Sequence, residues 1–245
     1  MEKTTRELVF LDTETTGIEL EDRLVQVAYK TGDITENELF KADIPVKIES
    51  MAVCHITNKM LEDKEKFQGS ESQKKLIDLF SKDSTVLVAH NAGFDIDMLK
   101  REGVEVKNQI CTLKVARYLD SDAVIPKHNL QYLRYYLDLN IEGTAHDALG
   151  DVLVLEGLFK RLFDKMCKMK DSDNSSITEN DVIDSMIEIS SKPSLIRRFS
   201  FGKHEGSLVE DVAKTDKGYI EWFYNQKIKD EIKDEDWIYT LSQYL

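Results

Sequence analysis

Three short stretches of this chain carry side chains whose types and spacing could do chemistry. VFLDTETTG, residues 9–17, ends an apolar run on Asp12 and Glu14. Residues two apart on a strand point to the same face, so the two carboxylates would stand side by side. That costs repulsion, which a divalent cation removes. Mg²⁺ in particular takes oxygen from few protein ligands and completes its shell with water and phosphate. A solvated strand end with incidental acids is the alternative, and the pair alone does not choose. AHNAGFDIDMLK, residues 89–100, runs from a strand through a turn at Gly93 into a helix carrying Asp95. The helix dipole favours an acid there for structural reasons alone, and Asp97 could be another such acid. His90 and Asn91 could simply satisfy backbone groups of the turn. AHDALGDVLVL, residues 145–155, sets His146 just before a helix and Asp151 within it. A lone histidine there is ordinarily a cap or a surface residue. Five residues from a third acid, its near-neutral pKa also fits it for proton transfer.

These side chains need elements to hold them. ELVFLDTE reads as a buried strand, and RLVQVAYKTG alternates like a strand and stops at a glycine turn. ELFKADIPV is a further strand candidate whose end Pro45 demotes to an edge or exit. ESQKKLIDLFSK spaces Leu76, Ile77, Leu79 and Phe80 as a helix does. TVLVAHN is a short apolar strand, and FDIDMLKREG is a helix stopped by Gly103. CTLKVARYL and NLQYLRYYLDL are helical in period, and HDALGDVLVLEGLFKRLFDKM is a long amphipathic helix with Asp147 as its predicted cap. Strands with helices interspersed predict an α/β domain on a mixed sheet over residues 1–168. The polar run MKDSDNSSITEN predicts a linker, residues 169–193. Within it a short helix, DVIDSMIEI, is opened by a capping-box variant from Thr178 to Asp181. Residues 194–245 form a small C-terminal module, in which Tyr219, Trp222 and Phe223 recur at helical spacing and read as core.

The 245 residues suffice for one cored domain and a smaller module. A hydrophobic share of 41% with 32% charged residues reads as soluble and globular. No apolar run nears the ~18 residues of a membrane span, and the N-terminus lacks the apolar core of a signal peptide. The three cysteines, Cys54, Cys111 and Cys167, form no CxxC pair, so neither a zinc ribbon nor a disulfide framework is expected. Free thiols in a reducing cytoplasm are the simpler reading. A net charge of −13 opposes broad nonspecific attraction to nucleic acid. It leaves room for a local basic surface, or for acids neutralised by metal.

Together and in this order, the three stretches resemble the DnaQ-like 3′→5′ exonucleases of the DEDD class, in the subgroup with a histidine. The DxE motif falls on Asp12 and Glu14, the HNAxFD segment on His90 to Asp95, and the HxAxxDA-like segment on His146, Ala148 and Asp151, with Val152 where alanine is common. ICTLKVARYL and HNLQYL resemble two further segments of the family, with Cys111 where aspartate is usual. The resemblance spans residues 6–165. It departs at VCHIT, Val53 to Thr57, where Cys54 stands in the usual place of a histidine that borders the terminal nucleotide.

The resemblance implies a ribonuclease H-like mixed central sheet flanked by helices. It also implies two Mg²⁺ or Mn²⁺ ions and hydrolysis at 3′ ends of DNA to release nucleoside monophosphates, in repair or proofreading. Under it Asp12 bridges the ions, Glu14 and Asp151 complete the site of the attacking water, Asp95 supports the second ion, and His146 is the general base. Thr13, Thr15, His55, Asn91 and Phe94 would contact nucleic acid. FSFGKHEGSLVEDVAKTDKGYIEWFYNQ, residues 199–226, resembles the small C-terminal module of exonuclease-X-like proteins. Just before and into it, KPSLIRRFSFGKH holds Lys192, Arg197, Arg198 and Lys203 and no acid. Arg197, Arg198 and Lys203 therefore suit phosphates, or else form a solvated loop. The expected partners are single-stranded or frayed 3′ ends of DNA, with RNA, or a polymerase or repair partner, as alternatives. No membrane partner is expected.

Overall fold

β1 (Glu7–Thr15) is the strand on which the other elements are arranged. Its side chains alternate, Val9 and Leu11 entering one core cluster and Phe10 the other, as a period of two requires. The structure, a computed structural model, describes residues 5–141, 148–171 and 178–245. β2 (Leu24–Thr31) and β3 (Ile34–Leu39) extend the sheet antiparallel on one side of β1. β4 (Thr85–Ala89) and β5 (Gln109–Cys111) extend it in parallel on the other, giving the order β3-β2-β1-β4-β5. This is the mixed sheet expected of the sequence. ELFKADIPV is a strand only at its start, because a two-residue turn carrying Gly32 at φ +54° pairs Thr31 with Ile34 and places β3 earlier.

Helices cover both faces. On one, α2 (Glu71–Ser81) and α3 (Gly93–Arg101) bring Leu76, Phe80, Met98 and Leu99 onto Val9, Leu11 and Leu87. On the other, α6 (Ala148–Asp171) lays Ala148, Val152, Leu155, Phe159, Leu162 and Met166 over Phe10, Ala28, Val86 and Val88. That three-and-four spacing is one stripe of a helix. α4 (Thr112–Leu119) and α5 (Leu130–Tyr136) pack beside α6. A 2.5 Å ion pair between Lys30 and Glu156 ties β2 to α6. Ile141, just beyond α5, puts its side chain where a Cβ on Gly157 of α6 would stand. α1 (Ile48–Cys54) packs beside β2, with Cys54, Ile56 and Leu61 in contact with Val25 and Val46. Asp147, the predicted cap of α6, lies outside the described residues.

The stretch predicted as a linker is only partly a connection. α6 runs on to Asp171, and α7 (Glu179–Ser190) opens on the Thr178–Asp181 capping box. α7 then buries Val182, Ile183 and Met186 in the cluster that holds Phe10. Ser190 Oγ accepts the Cys111 N–H at 2.8 Å, so α7 ends against the edge strand β5.

Residues from Ile196 onward build a separate cluster around Phe199, served by α8 (Val209–Thr215), α9 (Lys217–Lys227) and α10 (Glu235–Ser242). The fully buried Phe199 stacks on Trp237 at 5.1 Å and meets Tyr219 edge-on at 5.8 Å. Tyr219 and Phe223 belong to this cluster as expected, whereas Trp222 is 54% exposed. It stands about 100° around the helix from Phe223, off the buried stripe. Met186→Ala should cost about 2–5 kcal/mol in urea unfolding, as for other buried truncations. A loss within about 0.5 kcal/mol, as at a surface position, would remove α7 from this core.

Candidate active site

β1 outruns its parallel neighbour. It pairs with β4 only from Glu7–Thr85 to Phe10–Val88, while its pairing with β2 continues to Thr15. Past Phe10, one side of β1 loses its strand partner at the C-terminal ends of two parallel strands, where open α/β sheets place their ligands. Asp12 and Glu14 continue the even-numbered series that Phe10 begins, towards α6. Asp151, 7% exposed, sits in the first turn of α6, next to the buried stripe. One carboxylate oxygen from each of Asp12, Glu14 and Asp151 lies within 4.8 Å of the others. Gln131 of α5 donates its amide N–H to Asp151 Oδ1 at 2.5 Å, a contact that no local pattern in the sequence announces.

Asp95 approaches from the opposite face and stands outside that three-acid group. β4 ends, the chain turns through Asn91 at φ +65°, and α3 begins. Asp95 Oδ1 accepts the Thr13 N–H at 3.1 Å and the Thr13 hydroxyl at 2.8 Å. It thus takes up a backbone donor past the end of the β4 pairing. Burial pushes the Asp95 carboxyl up to about 7, against the lowering effect of the Thr13 donors. A cation beside it would act in the other direction.

Thr13 and Thr15, expected to touch nucleic acid, are both buried with their hydroxyls turned inward. Thr13 serves Asp95, and Thr15 donates to the Gly17 carbonyl at 2.6 Å. Strand alternation is the reason, since odd-numbered residues of β1 face away from the acids. The turn that follows is pinned by Asp22, fully buried, which accepts from the Thr16 hydroxyl at 2.7 Å and from Lys47 Nζ at 2.6 Å. Burial alone would raise the Asp22 carboxyl, yet these donors and the Glu19 N–H hold it below the usual range. A Cβ on Gly17 would collide with that carboxylate.

His90 is held by both ring nitrogens. Its Nε2–H donates to the His128 carbonyl at 2.8 Å, leaving Nδ1 to accept from the Thr112 hydroxyl at 2.9 Å. Burial lowers its pKa to about 4, so the ring is a neutral pin between β4 and α4. His55 ends α1 at φ 59° and is exposed, Asn91 is exposed, and Phe94 is half-buried. His146 lies outside the described residues.

The side chains of the basic strip are engaged within the protein. Arg197 donates to the Arg117 carbonyl at 3.2 Å, and Arg198 to the Gly206 and Ala123 carbonyls at 2.5 and 3.0 Å. Lys203 pairs with Asp216 at 2.6 Å. Arg117 of α4 reaches Asp236 of α10 at 2.6 Å, and Asp236 also accepts the Ser194 N–H. Counting charges along the strip left out these acceptors, and the contacts at Arg117 bind the C-terminal segment to α4.

The mixed sheet with acids gathered at the end of its central strand belongs to a nuclease class. The family model described as Exonuclease matches residues 9–159, and the chain belongs to that family. A second model, Exodeoxyribonuclease X-like C-terminal, matches residues 199–227. Exodeoxyribonuclease 10 of Escherichia coli (strain K12) is 30% identical over 236 residues, covering 89% of this chain and 90% of that protein. DNA polymerase III subunit epsilon of Treponema pallidum (strain Nichols) is 33% identical over 162 residues, 60% of this chain and 72% of that one. Among solved structures, Exonuclease X in complex with 5′-overhanging duplex DNA is similar at TM-score 0.55 and 26% identity, over 75% of this chain and 99% of that one. The fold is therefore the ribonuclease H-like one, and the chain is a DnaQ-like exonuclease.

Asp95 gives a pH prediction for the protein stripped of metal. Its folded pKa, near 7, stands above the unfolded 3.8, so the folded state binds the extra proton. Stability should therefore fall as pH rises from about 4 to 7. Asp95→Asn, whose Oδ1 can still accept both Thr13 donors, should melt higher than wild type in chelator at pH 8. That gain should shrink towards pH 4. A gain independent of pH would show that the carboxyl carries no such burden.

Proposed function

We propose that this exonuclease removes nucleoside monophosphates from 3′ ends of DNA by metal-dependent hydrolysis. The convergence of Asp12, Glu14 and Asp151 within 4.8 Å carries the reading. Such a donor set fits a hard divalent cation, Mg²⁺ or Mn²⁺: the oxygens are carboxylate and few, and their mutual repulsion is the cost that such a cation offsets. Asp12, Glu14 and Asp151 would hold one ion, and Asp12 and Asp95 would serve a second. Two ions, when bound, stabilise the attacking and leaving oxygens of an in-line displacement.

The chain's own residues supply the remaining functions. Glu14 and Asp151 face the water that attacks phosphorus, and His146 accepts its proton on an imidazole nitrogen. The bond from phosphorus to the 3′ oxygen breaks as the new one forms. Asp95, locked by Thr13, fixes α3 against β1, and His55, Asn91 and Phe94 are candidates to line the terminal nucleotide. DNA is favoured as substrate because the similarity to Exodeoxyribonuclease 10 runs through both segments of the chain. A polymerase-bound role has less support, since the similarity to subunit epsilon covers 60% of the chain.

End-labelled single-stranded DNA, duplex DNA with frayed ends, and RNA, each with Mg²⁺, Mn²⁺ or chelator, test this reading. Mononucleotides should be released from DNA 3′ ends with metal and not with chelator. Asp12→Ala should abolish release, and His146→Ala should lower kcat by about 10²–10⁴ while metal uptake persists. Chelator-resistant cleavage would sink the metal reading, full turnover by His146→Ala the base assignment, and RNA turned over faster than DNA the substrate.

A further inference from the structure

α5 carries a polar relay that ends on one of the acids. Gln131 donates to Asp151 Oδ1 at 2.5 Å. One turn along, Arg134 Nη1 donates to Gln131 Oε1 at 3.3 Å. A guanidinium only donates, so the amide oxygen must face Arg134 and the amide NH₂ must face the carboxylate. Arg134 Nη2 meanwhile donates to the Ile141 carbonyl at 2.5 Å, which anchors the guanidinium to the chain after α5. Leu133, fully buried in the core beneath, fixes α5 itself.

We propose that Gln131, oriented by Arg134, is a positioning residue for Asp151 as a metal ligand; this rests on the metal-site reading above. Carboxylates gathered within 4.8 Å repel one another, and Asp151, on a helix rather than on the strand, can turn its carboxylate away. One oxygen tied to a fixed amide limits that rotation. A neutral donor does so without bringing the positive charge that would compete with the cation. Outer hydrogen-bond partners of this kind orient ligands and raise metal affinity.

The test is direct Mn²⁺ titration of the full chain by calorimetry, without nucleic acid. Gln131→Met should weaken Mn²⁺ binding about 10-fold or more, while the melting temperature in chelator moves by no more than about 2–4 °C. The Mn²⁺ concentration for half-maximal cleavage should rise in step, with kcat at saturating Mn²⁺ near wild type. Arg134→Met, which releases the amide, should shift Mn²⁺ affinity in the same direction, and it keeps the test open if Gln131→Met does not fold. Wild-type affinity in the folded variants overturns this inference alone. Failure of the wild-type chain to take up Mn²⁺ overturns the metal-site reading and this inference with it.

Discussion

The hydrogen bond from the Thr13 N–H to Asp95 marks the point on which the site depends: β1 continues after β4 has ended. A strand that stopped with its neighbour would have given its last backbone donors to that neighbour. Because β1 continues, a helical carboxylate takes one of them instead. The strand then serves both faces at once, presenting Asp12 and Glu14 towards α6 while its backbone between them grips an acid from α3. Acids from β1 and α6 converge there, and an acid from α3 docks on the strand backbone between them, because those elements share one strand end.

Burying acids near one another is unfavourable unless something offsets it. In this protein the offset differs by location. Away from the cluster, Asp22 has Lys47, Glu156 has Lys30 and Asp236 has Arg117, while Asp120 takes the Val124 and Ile125 N–H groups. Asp151 in the cluster and Asp95 on the opposite face receive neutral donors, from a glutamine and a threonine. Neutral donors fix geometry while leaving the negative potential in place for a cation to meet. The net charge of −13 is compatible with a polyanionic substrate where a bound cation makes the attraction local.

The framework and the acids were legible because each carries a local signal. β1, β2 and β4 show apolar runs or alternation, and α2, α3 and α6 show stripes with glycine or capping punctuation. β3 reads poorly since ITENEL is polar on both faces, as an edge strand tends to be. β5 is three residues long and merges into α4, so its period never develops. α7 looked like a linker helix because its sequence shows an apolar stripe but not the surface it meets. The contacts of the basic strip were hidden for the same reason: Arg197 and Arg198 find carbonyls far along the chain, and a count of charges sees none of them. Gln131 and Thr13 are ordinary residues made significant only by tertiary contact.

The seat of Ile141 on α6 has one more implication. Its methyl occupies the space over Gly157, so the helix and the chain leaving α5 are registered by the absence of a side chain. An alanine at that notch would force the end of the Ile141 side chain to turn aside and give up its seat on the helix. A glycine on α6 thus gives an isoleucine from beyond α5 a place to lock against the same helix that carries Asp151.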